Sequence, residues 1–489
     1  DLHRLYRAAP MPGTPPLPPR ARLDRTRANL GEALFPQPAP PARQVPRWEA
    51  AALIVALLAL GTVLVLLRLG WSTSLNTIWS EDGPIYLEGA LTNGFWDAIF
   101  TPYAGYLVLV PRLIAEVATL VPLEQAAAAI SIVSAMFAVL SGLAVWHGCS
   151  GHVRNPYLRG GLVLATVLAA GAGQETLLSA AYVPWYMLVG SFWLLFWRPR
   201  TIGGATAGGL FMLATGLSTP GVWFFMPVAL LRAATARDAR DAILVGFFML
   251  GAVAQVPVVL GQEQGEPIWL WHVLPAYLQR VVDGGLLGQR LGGNLWEVFG
   301  RPFVIALSAA VAAVLGWGIW RAAPGPRWVA IIATATSLAM FLISVYQRSV
   351  APTILWTSGS SGGTASRYVL VPALLLISAG VVLVDGALRH RAPSKLPRLA
   401  AATLAVIVLA VATSYDMRGP QFRGRPYWED ALRQAATQCR AEGAELAGIA
   451  TSPPPFGVQV PCSQVSSFAK ETSAKPTREA RASRAVSGE

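Results

Sequence analysis

Two adjacent carboxylates in an aromatic setting are the first residues of this sequence suited to chemistry, in Trp79-Ser80-Glu81-Asp82-Gly83-Pro84-Ile85-Tyr86-Leu87. Neighbouring acids repel, and loss of water raises both pKa values unless cations, hydroxyls or a metal compensate. An acidic pair in an otherwise apolar, aromatic setting therefore carries a cost that a function would explain. The same pair also suits the start of a helix, where the dipole favours negative charge.

Further charged and aromatic groups are spread along the chain. Arg112 follows Pro102-Tyr103-Ala104-Gly105-Tyr106-Leu107 and lies in the apolar run Pro111-Arg112-Leu113-Ile114-Ala115-Glu116. An arginine there either snorkels to lipid headgroups or grips a lipid-linked phosphate. Glu175 precedes Tyr182, Trp185 and Tyr186, which read as an interfacial aromatic belt or as a stacking surface for a sugar. Ser366-Arg367-Tyr368 offers a second cation for a phosphate, with headgroup snorkelling again the alternative. Loop 261–301 carries Trp269, Trp271, His272, Tyr277, Arg280 and Asp283. It has no Ser/His/Asp spacing and no GxSxG elbow, so His272 receives no catalytic role. The Ser358–Thr364 stretch lacks the GK[ST] ending of a phosphate-binding loop. Cys149, Cys439 and Cys462 form no CxxC and no His/Cys cluster that would mark a metal site.

The elements that must position these groups are apolar helices. The chain is 54% hydrophobic and 13% charged, with a mean hydropathy of +0.48. A soluble domain of this size needs more charge to cover its surface. Several runs approach the roughly 20 residues that cross a hydrocarbon core as a helix, and the alternating strands of a membrane barrel are absent. The predicted fold is an all-α polytopic membrane protein of about eleven transmembrane helices. They lie near 49–68, 123–147, 160–174, 180–197, 202–218, 220–232, 242–260, 302–320, 328–346, 368–386 and 398–415. Segment 104–122, with Pro111, Arg112 and Glu116, reads as juxtamembrane or re-entrant.

A net charge of +12 does not point to nucleic acid, because the arginines sit between apolar runs instead of in one aromatic-laced patch. They signal topology. With the N-terminus in the cytoplasm, the cytoplasmic segments carry 21 Lys and Arg and the outside loops seven. That imbalance orients the chain with its N-terminus inside and its C-terminus outside the plasma membrane. Cys439 and Cys462 then lie in an oxidising compartment, where a disulfide is expected and two free thiols are the alternative; Cys149 stays single. The organisation expected is a Pro/Arg-rich disordered cytoplasmic tail over 1–48, a membrane domain over 49–415, a small extracytoplasmic cap over 416–468 and a disordered tail over 469–489. The first 48 residues hold no apolar core of the kind a signal peptide requires. No pair of inverted, Gly/Pro-broken repeats stands out, which counts against a secondary transporter.

The segments WSEDGPIYL, PYAGYLVLVPRLIA, LSTPGVWFFMPVALLR and SRYVLVPALLL resemble actinobacterial-type members of the GT-C superfamily. These are polytopic glycosyltransferases that use polyprenyl-phosphate-linked sugars. The resemblance covers residues 49 to about 415 as topology and is most specific in the first outer loop. It implies an inverting transfer on the outer membrane face to a glycan or lipid acceptor of the cell envelope. Asp82 or Glu81 would be the general base, and Glu175 would support the acceptor or a divalent cation. Arg112, Arg367 and Tyr368 would hold the departing lipid phosphate. The sequence departs from oligosaccharyltransferases in having no WWDYG, and no cluster of acids fixes a metal. The competing classes are a transporter or flippase of a lipid-linked precursor and a non-enzymatic assembly scaffold.

Overall fold

Helices dominate because a chain in hydrocarbon must satisfy its own backbone N–H and C=O groups. The computed structural model describes residues 28–38, 46–168, 174–260, 270–348, 366–390, 396–415, 427–442 and 445–465. Trp269, the Ser358–Thr364 stretch and the 469–489 tail lie outside them. Seven described helices are long and apolar enough to cross a membrane: Trp48–Leu67, Leu123–Gly151, Ala239–Leu260, Arg290–Arg321, Pro324–Tyr346, Arg367–Arg389 and Arg398–Tyr415. Leu53, Val55, Leu60, Ile305 and Val314 are exposed on them, as lipid-facing side chains are and as those of a soluble surface are not. The chain is a polytopic helical membrane protein.

The principal helices are α1 (Arg47–Leu67), α2 (Leu109–Thr119), α3 (Ala126–Gly148), α4 (Pro156–Val167), α5 (Val183–Phe196), α6 (Ile202–Gly216), α7 (Met226–Ala234), α8 (Ala239–Ala254), α9 (Gln289–Arg321), α10 (Pro324–Arg348), α11 (Arg367–His390), α12 (Leu396–Tyr415) and α13 (Trp428–Glu442). Four of the eleven expected spans are shorter than a crossing. These are α4, α5, α6 and the stretch Pro220–Ala234 that ends in α7. Fifteen residues rise only about 22 Å, against a hydrocarbon core of about 30 Å. Prolines stop these helices from extending: Pro156 opens α4, Pro184 opens α5 and Pro220 opens the 3₁₀ turn before α7. Helix α5 lies at the centre, with every residue except Trp185 buried. Segment 104–122 contains only the 11 residues of α2, too few to span.

The ends of the bundle are closed differently. At one end Arg68, buried just past α1, donates from Nη2 and Nε to the carbonyls of Ser414 and Tyr415 at 2.7 and 3.3 Å. It thereby satisfies carbonyls that the C-terminus of α12 leaves unpaired. At the opposite end the N-terminal stretch departs from the expected disordered tail. Residues 28–34 are helical, and Leu34 and Phe35 are buried. Phe35 stacks on Phe196 at 6.0 Å, and the Leu34 carbonyl meets Nε2 of buried His152 at 2.9 Å. Arg232 lies over the Phe35 ring and pairs with buried Asp241 at 2.7 Å.

Beyond α12 the chain forms a cap that is not all helical. Helix α13 is followed by β1 (Leu446–Ala450) and β2 (Gly457–Pro461), an antiparallel hairpin with Ile449 opposite Val458. A disulfide joins Cys439 on α13 to Cys462 just past β2. Trp428, Leu432, Ile449 and Val458 share one core with Ile78, Ile114, Ala127 and Met187, so the cap is continuous with the Arg68 end of the bundle.

The N-terminal stretch and the cap therefore sit at opposite ends, and the arginine imbalance predicts which of them faces the cytoplasm. Cys149 is buried and reports nothing to a surface reagent. In a Cys462→Ser chain, an impermeant maleimide applied to intact cells is expected to label Cys439. An added cysteine at exposed Ala236 should react only after permeabilisation. The reverse pattern overturns the orientation.

Candidate active site

The first loop leaves α1 through the short helix Trp71–Leu75 and reaches the carboxylate pair as one 3₁₀ turn, Ser80–Asp82. A π-helical turn, Gly83–Leu87, follows at once, a geometry that recurs at functional positions. Ser80 has a φ of 46°, in the left-handed region that costs an L-residue about 1–2 kcal/mol. Leu178, in the facing segment between α4 and α5, has a φ of 57°. Backbone strain of this kind persists only where surrounding contacts hold it.

Asp82 and Glu81 have different surroundings. Asp82 is buried and serves as an acceptor at the start of the 3₁₀ turn Ala180–Tyr182. Its Oδ1 accepts from Ser179 Oγ at 3.1 Å and from the Ala181 amide at 2.9 Å, and its Oδ2 accepts from the Ala180 amide at 3.0 Å. Burial pushes its carboxyl up to about 7, while the amide bonds from Ala181 and Ala180 favour the anion. Glu81 is only half-buried. Its Oε2 accepts from the Tyr182 hydroxyl at 3.1 Å, and its other oxygen has no partner among the described residues.

Tyr182 is the joint of the site. Its oxygen accepts from Arg367 Nη1 at 3.0 Å while its hydroxyl proton goes to Glu81. The same Nη1 is ion-paired with Glu175 Oε1. Glu175 Oε2 accepts from the Ser366 amide at 2.8 Å, so this carboxylate gathers the start of α11 with its own side chain. The Arg367 guanidinium lies over the rings of Tyr182 and Tyr368 at 5.5 and 5.1 Å, and Trp185 meets Tyr368 edge-on at 5.6 Å. Arg280 lies close enough to Glu175 for that carboxylate to pull its basicity back up, although burial lowers the guanidinium to about 10.

Four charged residues singled out from the sequence thus meet: Glu81, Asp82, Glu175 and Arg367, with Tyr368 beneath the arginine. Arg112 is directed elsewhere. Its Nη1 donates to the Ile85 carbonyl at 2.7 Å and its Nη2 to Thr101 at 3.4 Å, with the Tyr86 ring at 5.4 Å. Gly89 makes room for it, since a Cβ there would stand 2.7 Å from Nη1. The guanidinium braces the backbone of the first loop, one aromatic ring removed from the acids. Ser179 and Arg280 had no assigned role in the sequence, and Tyr182 read as part of an aromatic belt or sugar-stacking surface and not as a hydrogen-bonding link. Only the position of Tyr182 at the start of an apolar run, with acids elsewhere, offered a signal.

The oxygens of Asp82 and Glu175 are taken up by protein donors: Asp82 accepts from N–H and O–H groups, and Glu175 is committed to Arg367 and Ser366. Among the described residues no three His, Cys, Asp or Glu side chains gather as a ligand set. What the arrangement supplies is one carboxylate with an accepting oxygen to spare, joined through a phenol to a partly exposed arginine.

The sequence matches no protein-family model and no curated protein. Among solved structures, the crystal structure of the Archaeoglobus fulgidus oligosaccharyltransferase, tethered by a disulfide bond to an acceptor peptide with the NVT sequon, aligns at a TM-score of 0.31 and 14% identity. The alignment covers 80% of this chain and 58% of that one, so this chain spans less than two thirds of its length.

Asp82 makes stability depend on pH in a defined direction. Its folded carboxyl titrates near 7 and its ordinary value is 3.8, so the folded state holds the proton more tightly. That contribution is complete below about 4 and is lost as pH rises through about 7. Thermal unfolding in detergent should show wild-type stability falling over this window relative to Asp82→Asn. Parallel curves for the two proteins would contradict the assignment.

Proposed function

We propose that this chain is a membrane glycosyltransferase of the GT-C type, moving a sugar from a polyprenyl-phosphate donor to a cell-envelope acceptor on the outer membrane face. The observation that carries the reading is the Glu81–Tyr182–Arg367 connection, which holds a proton acceptor and an anion-binding cation together at one end of the bundle. The quoted sequence segments give it the same direction.

In this mechanism the acceptor hydroxyl lies against the unengaged oxygen of Glu81. Its proton passes to that carboxylate as the oxygen bonds to the anomeric carbon. The bond from the anomeric carbon to the phosphate oxygen breaks, and the electron pair leaves with the polyprenyl phosphate. Attack opposite the leaving group inverts the anomeric centre. Arg367, held by Glu175 and partly exposed, stabilises the charge gained by the phosphate. Tyr368 and Tyr182 orient the guanidinium between their rings.

Glu81 is the base in preference to Asp82, because Asp82 has its oxygens occupied and fixes the segment that carries Tyr182. Arg112 maintains the loop, and the phosphate falls to Arg367.

The test is sugar transfer in membranes supplied with a radiolabelled polyprenyl-phosphate sugar. Glu81→Gln should lower the rate by about 10²-fold or more, in the range of a lost general base. Arg367→Ala should lower it comparably, with weaker donor saturation. Wild-type rates in both variants would sink the mechanism.

A further inference from the structure

The C-terminal hairpin grips the first loop at three points, and one of them adjoins Glu81. Ser452, just past β1, pairs with the backbone on both sides of Trp79. The Ser80 amide donates to the Ser452 carbonyl at 2.5 Å, and the Ser452 amide donates to the Ile78 carbonyl at 3.1 Å. The second point is Gly83, directly after Asp82. A Cβ there would stand 2.7 Å from Val458 Cγ2 and 3.1 Å from Thr451 Cγ2, so the hairpin rests on the bare backbone of this turn. The third is Glu88, whose Oε2 accepts from the Gln459 amide at 2.7 Å.

These contacts explain how Ser80 keeps its left-handed backbone. A loop residue without such partners relaxes toward negative φ, which would turn Glu81 away from Tyr182. The hydrogen bonds flanking Trp79 fix the chain on the amide side of Ser80, and the seat of Gly83 against Val458 and Thr451 fixes it on the carbonyl side, so rotation about Ser80 between them is opposed from both ends. The gripping corner is itself anchored. Thr451 donates its amide to the Phe456 carbonyl at 3.0 Å, and the Cys462 amide donates to the Glu445 carbonyl at 2.8 Å. The Cys439–Cys462 bond then fastens the hairpin to α13, which is rooted where the Trp428 amide meets the Asn76 carbonyl at 2.8 Å.

We propose that the cap is a positioning element for Glu81: the Thr451–Ser452 corner holds Ser80 in the conformation that turns Glu81 toward Tyr182, and the Cys439–Cys462 bond keeps that corner in place. The catalytic half of this proposal rests on Glu81 as the base; the structural half does not.

The test uses the full chain in lipid nanodiscs, with hydrogen exchange in the 76–84 peptide and steady-state transfer as two readouts. Gly83→Ala inserts a methyl against Val458 and Thr451, and Gly83→Ala/Val458→Ala returns the space at the tighter of the two contacts. Cys439→Ser/Cys462→Ser releases the hairpin from α13 without touching the loop. The first and last variants should exchange in 76–84 at least tenfold faster, with α3 and α5 unchanged. Their kcat should fall at least tenfold with donor KM within twofold, and the space-returning variant should recover both readouts. Unchanged exchange in both the Gly83→Ala and cysteine-free chains overturns the proposal, as does faster exchange with kcat intact. Should Gly83→Ala fail to fold, the cysteine-free chain decides alone. If wild type transfers no sugar, the glycosyltransferase reading fails, and the exchange data still decide whether the cap holds the loop.

Discussion

A carboxylate taken out of water must find hydrogen-bond donors or lose its charge, and three carboxylates share one corner of this molecule. Asp82 takes its donors from the segment before α5, Glu175 takes a guanidinium and an amide from the start of α11, and Glu81 takes a phenol from the segment Asp82 caps. Each bond joins parts of the chain far apart in sequence. The first loop, the 175–182 segment and the head of α11 are therefore held in one mutual arrangement. Such groups add less to net stability than to definition, because desolvation offsets much of the attraction. Removing one partner strands the other, which makes the arrangement all or none.

The opposite end follows the same logic with different residues. Arg232 pairs with Asp241 and donates to the carbonyls of Leu194 and Leu195 at the end of α5. Asp385 on α11 accepts from the amides of Arg154 and Asn155 at 3.0 and 2.8 Å, and pairs with Arg389. Helices α5 and α11 line the interior and are pinned at both ends by buried charge. The middle of the bundle is left to apolar packing, where Trp193 Nε1 to Ser378 Oγ, at 3.3 Å, is one of the few polar crossings.

Hydropathy made the membrane class and the positions of the helices legible, because a run of apolar residues has few other places to go. It did not reveal which runs fall short of a crossing, since the breaks come from prolines and 3₁₀ turns set by tertiary contacts. Glu81, Asp82, Glu175 and Arg367 were recognisable as acids and a cation flanking apolar runs. Their different duties were not. Nothing in the pair Glu81-Asp82 says that one side chain meets three donors and the other one, because those donors lie almost a hundred residues away, at Ser179 to Tyr182. Arg112, in its apolar run, read as a headgroup or phosphate ligand, yet carbonyls at Ile85 and Thr101 claim it, and backbone acceptors leave no mark in a sequence. The buried Leu34-Phe35 pair was equally silent, being two apolar residues in a Pro- and Arg-rich stretch.

The hairpin that meets the first loop is separated from it by most of the chain, with Gln459 following Glu88 by 371 positions. Contacts of such long range form late, since every intervening crossing must be in place before they can close. A ribosome has threaded the whole bundle before the partner of the first loop emerges. The molecule is thus assembled as a circle whose last arc completes its first, and truncated or half-inserted chains lack that closure. Biogenesis acquires a built-in order in which the bundle comes first and the carboxylate corner last.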